Sequence, residues 1–359
     1  METRILGPSG LRVSRLCLGT ATFGNQDWGS DEALSDLILG RYLDMGGNFL
    51  DTANKYADGE SERTIGRLLQ GRRDRVVLGT KFTATMDDAD PNGAGNHRKS
   101  LVRSLEQSLR RLQTDYLDIL WVHAWDGVTP IDEIMRALDD QVRAGKVLSL
   151  GISNAPAWMM AWANAQAAVR GLTPFAAVQS EYNLLERGAE RELLPMTGYF
   201  GLAFLAWAPI AQGRLTGKYS PGGSGQGRLA PEELDLSAAR QQIVAETVAV
   251  ARELDHDPAT VALSWILCHR PDVIPVIGAR TAEQFEAAVA CLALRLSADQ
   301  MARLTAASAG DPGSPAAYMR SDPGREFMWG AARTVPARLP ATGDPWWELV
   351  RLASRPPGP

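Results

Sequence analysis

The sequence predicts an α/β protein folded as a (β/α)8 TIM barrel. Two observations carry that expectation. Short apolar runs alternate with longer amphipathic segments from about Leu16 to Leu292, the pattern of strands buried on both faces and separated by covering helices. The chain has 359 residues, enough for one large barrel or two ordinary domains. A doubly wound open sheet also alternates in this way, but it is disfavoured by the number of strand candidates and by the lack of an early G-x-G-x-x-G turn.

The strand candidates in order are Leu16–Leu18, Asn48–Asp51, Val76–Lys81, Leu117–Val122, Val147–Gly151, Ala176–Gln179, Leu202–Ala206 and Val273–Ile277. Between them, Ser100–Leu112 places apolar residues at 101, 102, 105, 109 and 112, a helical spacing. Ile131–Ala144 and Ala238–Leu254 read the same way. Ahead of the first unit, Thr3–Leu6 and Leu11–Val13 flank P-S-G, which predicts a small hairpin at the barrel floor. The P-G-G-S-G-Q-G run within Ser220–Leu229 reads as a mobile linker. Residues 1–308 are assigned to the barrel. Residues 309–359 form an irregular extension rich in Pro, Gly and Trp, including Trp329, Trp346 and Trp347. Its composition fits either a flap over the barrel mouth or a loose tail.

Composition narrows the function. Hydrophobic residues make up 45% and the net charge is −5 with both signs scattered. A nucleic-acid surface would need clustered basic residues. No segment reaches the roughly 18 apolar residues of a membrane span. Met1 to Gly10 has no basic stretch followed by an apolar one, so no secretory leader is expected. The three cysteines, Cys17, Cys268 and Cys291, lie in apolar runs without C-x-x-C spacing. They read as inert buried thiols in a reducing, cytoplasmic compartment. His97, His256 and His269 lack metal-ligand spacing, and no metal is expected.

Barrel active sites gather at the C-terminal ends of the strands. There the second barrel strand ends in Asp51, the third near Lys81 and the fourth at His123, while Tyr56 follows Asp51 on the next loop. Singly, each has a bland explanation: a turn aspartate, a surface lysine or tyrosine, a structural histidine. Together at consecutive strand ends they form a proton-delivering group. A free phenol is a weak acid at neutral pH, and a neighbouring ammonium stabilises the phenolate. A carboxylate keeps the ammonium charged and placed. A histidine at the same mouth can hydrogen-bond a substrate oxygen. The set suits protonation of an oxygen that gains negative charge.

The motifs D-T-A-N-K-Y, G-T-K, W-V-H, G-I-S-N, Q-S-E-Y-N, W-A-P-I-A-Q-G-R-L-T-G-K-Y and I-G-A-R-T-A-E-Q occur in that order. With them the sequence resembles the aldo-keto reductases over roughly Thr3 to Leu296. The longest motif looks most like the branch of bacterial general reductases and potassium-channel beta subunits. The resemblance implies NADPH-dependent reduction of an aldehyde or ketone, with Tyr56 as general acid, Lys81 tuning it, Asp51 supporting Lys81 and His123 orienting the carbonyl. It also implies NADPH, in preference to NADH, bound without a Gly-rich fingerprint.

Carried over residue by residue, Ser153, Asn154 and Gln179 hold the nicotinamide carboxamide, Trp207 stacks on its ring, and Thr20 and Asp51 lie alongside. The run from Ala208 through Pro209, Ile210, Ala211 and Gly213 to Gly217 wraps the pyrophosphate with backbone N–H groups. Lys218 and Arg228 add positive charge. Gly278, Arg280 and Gln284 serve the adenosine end, with Arg280 opening the last helix beside the 2′-phosphate. One departure stands out: Ala287 and Ala288 occupy positions where relatives often carry Glu and Asn, so two polar contacts to adenosine are missing and weaker cofactor affinity is expected. Tyr182 and Asn183 read as packing around the site.

Phe23, Trp28 and Trp125, with Tyr56, predict an apolar, aromatic substrate mouth. The expected partner is a small carbonyl compound, with the protein a monomer or homo-oligomer. Two other functions share these residues. One is a nucleotide-binding sensor like the channel subunits, against which the intact tetrad argues. The other is an alcohol or sugar dehydrogenase, since the same tetrad serves both directions.

Overall fold

The computed structural model describes residues 1–25, 27–220, 229 and 236–329. Most of the Gly-rich run, Arg228, Trp346 and Trp347 lie outside the described residues. A short antiparallel hairpin, β1 (Thr3–Ile5) and β2 (Arg12–Ser14), opens the chain. The barrel begins with β3 (Cys17–Gly19), α1 (Glu32–Asp44), β4 (Phe49–Asp51), α2 (Glu60–Leu68), β5 (Val77–Phe82) and α3 (Arg98–Leu112). It continues through β6 (Leu117–Val122), α4 (Ile131–Arg143), β7 (Val147–Ser153), α5 (Ala157–Arg170), β8 (Phe175–Glu181), α6 (Leu193–Phe200) and β9 (Ala203–Trp207). Two helices, α7 (Ala238–Leu254) and α8 (Pro258–His269), precede β10 (Val273–Ile277), and α9 (Ala282–Val289) and α10 (Ala298–Ala307) follow it.

The strands β3 to β10 close into an eight-stranded barrel, with β10 pairing both β9 and β3 in parallel. The predicted barrel is the observed one, and strand positions shift by only a residue or two. Local chemistry explains the helix starts. His97 caps α3 by accepting from Ser100 N, so the helix begins two residues before the predicted Ser100. Asp257 caps α8 with Pro258 in its first turn. Ser297 and Gln300 form a reciprocal capping box on α10.

The core has two layers. One lies between the strands and the helices. The other fills the barrel interior with Cys17, Phe49, Val77, Ile119, Trp121 and Leu205, and is joined from below by Leu6 and Val13 of the hairpin. The hairpin therefore closes the barrel floor, as its position in the sequence predicts. Trp121 needs its neighbours to be glycine. A Cβ on Gly151 would lie 2.2 Å from its ring, and one on Gly79 would lie 2.7 Å from its Nε1. The adjoining strands thus leave a slot for one large side chain in a close-packed interior.

The extension is described as far as Trp329. Its first part folds into two short helices, α11 (Ala316–Arg320) and α12 (Asp322–Trp329). Among the described residues no helix is long and apolar enough to cross a membrane, and no cluster of three metal-ligating side chains occurs.

Candidate active site

Strand register places the tetrad. Asp51 pairs with Gly79 across β4 and β5, so Lys81 lies two residues further along and points to the same interior. Lys81 pairs with Trp121 across β5 and β6, which puts His123 just past the next strand end. Tyr56 sits in the tight turn Tyr56–Gly59, where Ala57 and Asp58 take positive φ of 48°. This turn brings the phenol back over the barrel mouth.

The side chains converge. Lys81 Nζ donates to Asp51 Oδ2 at 2.5 Å, to the Thr52 carbonyl at 3.0 Å and to the Tyr56 hydroxyl at 3.1 Å. Lys81 and Asp51 are almost wholly buried, while Tyr56 is half-buried. Burial alone would lower the lysine, but the Asp51 carboxylate and Tyr56 outweigh it and hold the ammonium above its ordinary value. The Tyr56 and His123 rings meet edge-on, with centroids 6.1 Å apart. Burial, aided by the Lys81 charge, pushes the His123 imidazole down to about 3, so it is neutral at physiological pH.

A cavity of about 610 Å³ runs from this group to the start of α9. Asp51, Tyr56 and His123 open into it, while Lys81 stands behind them. Its middle is lined by Ser153, Asn154, Gln179 and Trp207, and Trp207 Nε1 donates to Asn154 Oδ1 at 3.2 Å. Beyond these come Ala208, Pro209, Ile210, Gly213 and Lys218, then Gly278, Arg280 and Gln284. Tyr182 is fully buried against Trp265 and Phe204, and Asn183 holds the Ala208 carbonyl at 3.0 Å. Both pack behind the cavity wall.

Several expectations are corrected. Thr20 does not line the cavity: its buried hydroxyl donates to the Asp51 carbonyl at 3.1 Å and lies 3.2 Å from Ser61 Oγ. Ala211 is buried behind the wall. The turn after Trp207 cannot offer every N–H to a ligand, because those of Ala211, Gly213 and Leu215 bond to the Ala208 and Ile210 carbonyls within it. Arg280 precedes α9 rather than opening it, since Thr281 is the cap, accepting from Gln284 N. Nor is α9 the last helix. Gln284 Oε1 already accepts from Arg280 N at 3.0 Å, which folds the side chain onto the helix start. Of the four aromatic residues expected at the substrate mouth, Trp28 and Tyr56 line the cavity. Phe23 is buried in the core, and Trp125 packs on the core and edge-on against Trp158.

Gln212 and Thr216 line the cavity from within the expected run, and Thr22, Asp257 and Glu283 line it without being foreseen. Ordinary polar residues on loops carry no pattern that marks them as lining a shared space. Ala259, Leu263, Ala287 and Ala288 give the cavity an apolar wall near α9.

The buried polar atoms test whether a nicotinamide cofactor fits. Thr22 Oγ1 and His123 Nδ1 are buried without a hydrogen-bond partner. Such atoms are costly unless something pairs them. A long cleft with amide and hydroxyl groups at one end and two cations, Lys218 and Arg280, further along suits an aromatic amide linked to phosphates.

Comparison with known proteins agrees. The aldo/keto reductase family profile matches residues 15–309. A norsolorinic acid reductase of Emericella nidulans is 38% identical over 341 residues, covering 90% of this chain and 86% of its own. An aryl-alcohol dehydrogenase of Pestalotiopsis microspora is 37% identical, covering 88% and 84% of the two chains. An aldo-keto reductase of Aspergillus calidoustus is 36% identical, covering 89% and 85%. With the barrel and the strand-end group already in place, these matches settle the family: the chain belongs to the aldo/keto reductases, oxidoreductases that use a nicotinamide cofactor.

Proposed function

We propose that the protein reduces the carbonyl of an aldehyde or ketone with NADPH, and that Tyr56 delivers the proton. The observation that carries this reading is the position of Lys81 Nζ, 2.5 Å from Asp51 and 3.1 Å from the Tyr56 hydroxyl in a buried setting. When bound, the cofactor supplies the hydride. The chain must then place the carbonyl, exclude water and provide a proton.

Tyr56 donates its hydroxyl proton to the substrate oxygen as negative charge develops there. The Lys81 ammonium, hydrogen-bonded to the phenol oxygen, stabilises the phenolate left behind. Asp51 holds that ammonium in place and keeps it charged. Neutral His123 carries one ring proton. With Nδ1 buried, Nε2 is the nitrogen suited to donate to the carbonyl oxygen. Ser153, Asn154 and Gln179 would hold the carboxamide, and Trp207 would back the ring. Lys218 would meet the phosphates and Arg280 the 2′-phosphate, which favours NADPH over NADH.

The substrate class is an aromatic carbonyl compound. Two of the relatives are named for norsolorinic acid and for aryl alcohols, and Trp28 lines the cavity beside Tyr56. The name aryl-alcohol dehydrogenase also favours a second reading, the same reaction in the oxidative direction. There the Tyr56 phenolate accepts the proton, and the cofactor ratio sets the direction. The test is NADPH oxidation with a panel of aromatic aldehydes by the native protein and Tyr56→Phe. The variant is expected to bind NADPH, read by tryptophan quenching, and to lose turnover by ~10²–10⁴-fold. Undiminished turnover by Tyr56→Phe would refute the reading.

A further inference from the structure

We propose that Asn96 is a positioning residue for the reaction, its carboxamide fixing the chain segment that carries His123. The inference rests on the carbonyl-reduction reading above. Asn96 lies outside the cavity, on the loop between β5 and α3, and is completely buried. Its side-chain amide and its main-chain N–H are all engaged. Nδ2 donates to Thr83 Oγ1 at 2.8 Å and to the Ala124 carbonyl at 3.0 Å. Oδ1 accepts from Asp126 N at 2.7 Å, and its own main-chain N–H donates to Asp126 Oδ2 at 2.8 Å.

The two ends of this bridge matter. Thr83 follows Lys81 by two residues, and Ala124 follows His123 by one. One side chain therefore ties the exit of the lysine strand to the exit of the histidine strand. Thr83 has φ of 102°, a conformation rare for a β-branched residue. Such a backbone persists only where its surroundings over-determine it. Gly95 N bonding the Thr83 carbonyl at 2.8 Å and Asn96 bonding its hydroxyl do so.

His123 needs such help. An imidazole that acts through one nitrogen is commonly oriented by a hydrogen bond at the other, yet His123 Nδ1 has no partner. Its ring direction must come from packing against Tyr56 and from its own backbone. That backbone is gripped at three points. His123 N donates to the Phe82 carbonyl at 3.2 Å, Asn154 Nδ2 holds the His123 carbonyl at 2.9 Å, and Asn96 holds the next carbonyl, Ala124. Asn154 also faces the cavity, so of the two gripping side chains Asn96 is the one whose partners are all chain segments.

The test uses full-length protein at saturating NADPH with benzaldehyde and para-nitrobenzaldehyde. The nitro compound has the more electrophilic carbonyl and depends less on polarisation by His123. Asn96→Ala, and Asn96→Asp, which keeps the volume but loses the donor, are expected to lower kcat on benzaldehyde by roughly tenfold or more. The loss on the nitro compound should be smaller, and KM for NADPH should stay within about twofold. Thr83→Val, which removes one hydroxyl from the bridge, should show a lesser loss of the same kind and serves if the Asn96 variants do not fold. Equal losses on both aldehydes, a change in KM alone, or unchanged kcat in the folded variants would overturn the proposal. Tyr56→Phe is measured alongside. If it retains native turnover, the underlying reading fails. If it is inactive while the folded bridge variants keep the native ratio of the two aldehydes, only the role of Asn96 fails.

Discussion

Lys81 Nζ lies 2.5 Å from Asp51 Oδ2, and both side chains are almost wholly buried. A buried ion pair of this kind adds little net stability compared with an apolar pair, but breaking one half strands the other charge. The pair is therefore kept for what it does to the third group in contact, the Tyr56 hydroxyl.

Lys81→Met should leave the Asp51 carboxylate buried and unpaired and destabilise the protein by ~3–5 kcal/mol. The double variant Lys81→Met/Asp51→Asn should recover most of that loss while remaining inactive. Urea unfolding of the two variants against the native protein measures the difference. Equal stability of the single and double variants would show that Asp51 does not carry a buried charge.

His123 gives a pH signature. Its imidazole is pushed down to about 3, below the ~6.5 of an exposed histidine in the unfolded chain. A base lowered on folding leaves the unfolded chain binding more protons, so its stability contribution is present above pH ~6.5 and is lost as pH falls toward 3. Thermal melts from pH 7 to pH 4 should fall more steeply for the native protein than for His123→Gln, whose amide does not titrate. Parallel curves would mean that His123 already titrates normally.

Glu62 is fully buried on α2, just beyond the Tyr56 turn. Its carboxylate accepts from Thr80 Oγ1 at 2.5 Å and Arg111 Nε at 2.6 Å. It pins the helix that follows Tyr56 to the strand that carries Lys81. Glu62→Ala strands the partly buried Arg111 and should cost ~3–5 kcal/mol by chemical denaturation. Glu62→Gln, which keeps hydrogen-bonding capacity, should cost less.

Arg280 decides the choice of cofactor under the proposed function. Arg280→Ala should weaken NADPH by about tenfold, the loss of one charge-assisted contact at ~1.5 kcal/mol, and leave NADH within a factor of ~2. Fluorescence titration with both cofactors separates the outcomes. A matched loss for the two would remove Arg280 from the 2′-phosphate.

The sequence by itself determined the barrel and the identity of its strand-end group. Strand period, helix period and turn residues are local properties, and β6, α7 and β10 are read without error because each is a long or sharply bounded apolar pattern. Asp51, Lys81 and His123 were legible because a parallel barrel sends the end of every strand to one face. Which side chains share the cavity was decided only by tertiary structure. Thr20 looked like a cavity residue, but its hydroxyl is taken up by the Asp51 carbonyl and neighbouring Ser61. Phe23 looked like a rim aromatic, but it fills the core. Asn96 carries no signal in the sequence, because its four hydrogen bonds reach three residues on two loops, up to 30 residues away. Hydrogen-bond satisfaction inside a packed mouth depends on which loops meet. No period in one segment encodes that meeting, since it is settled by the closure of the whole barrel.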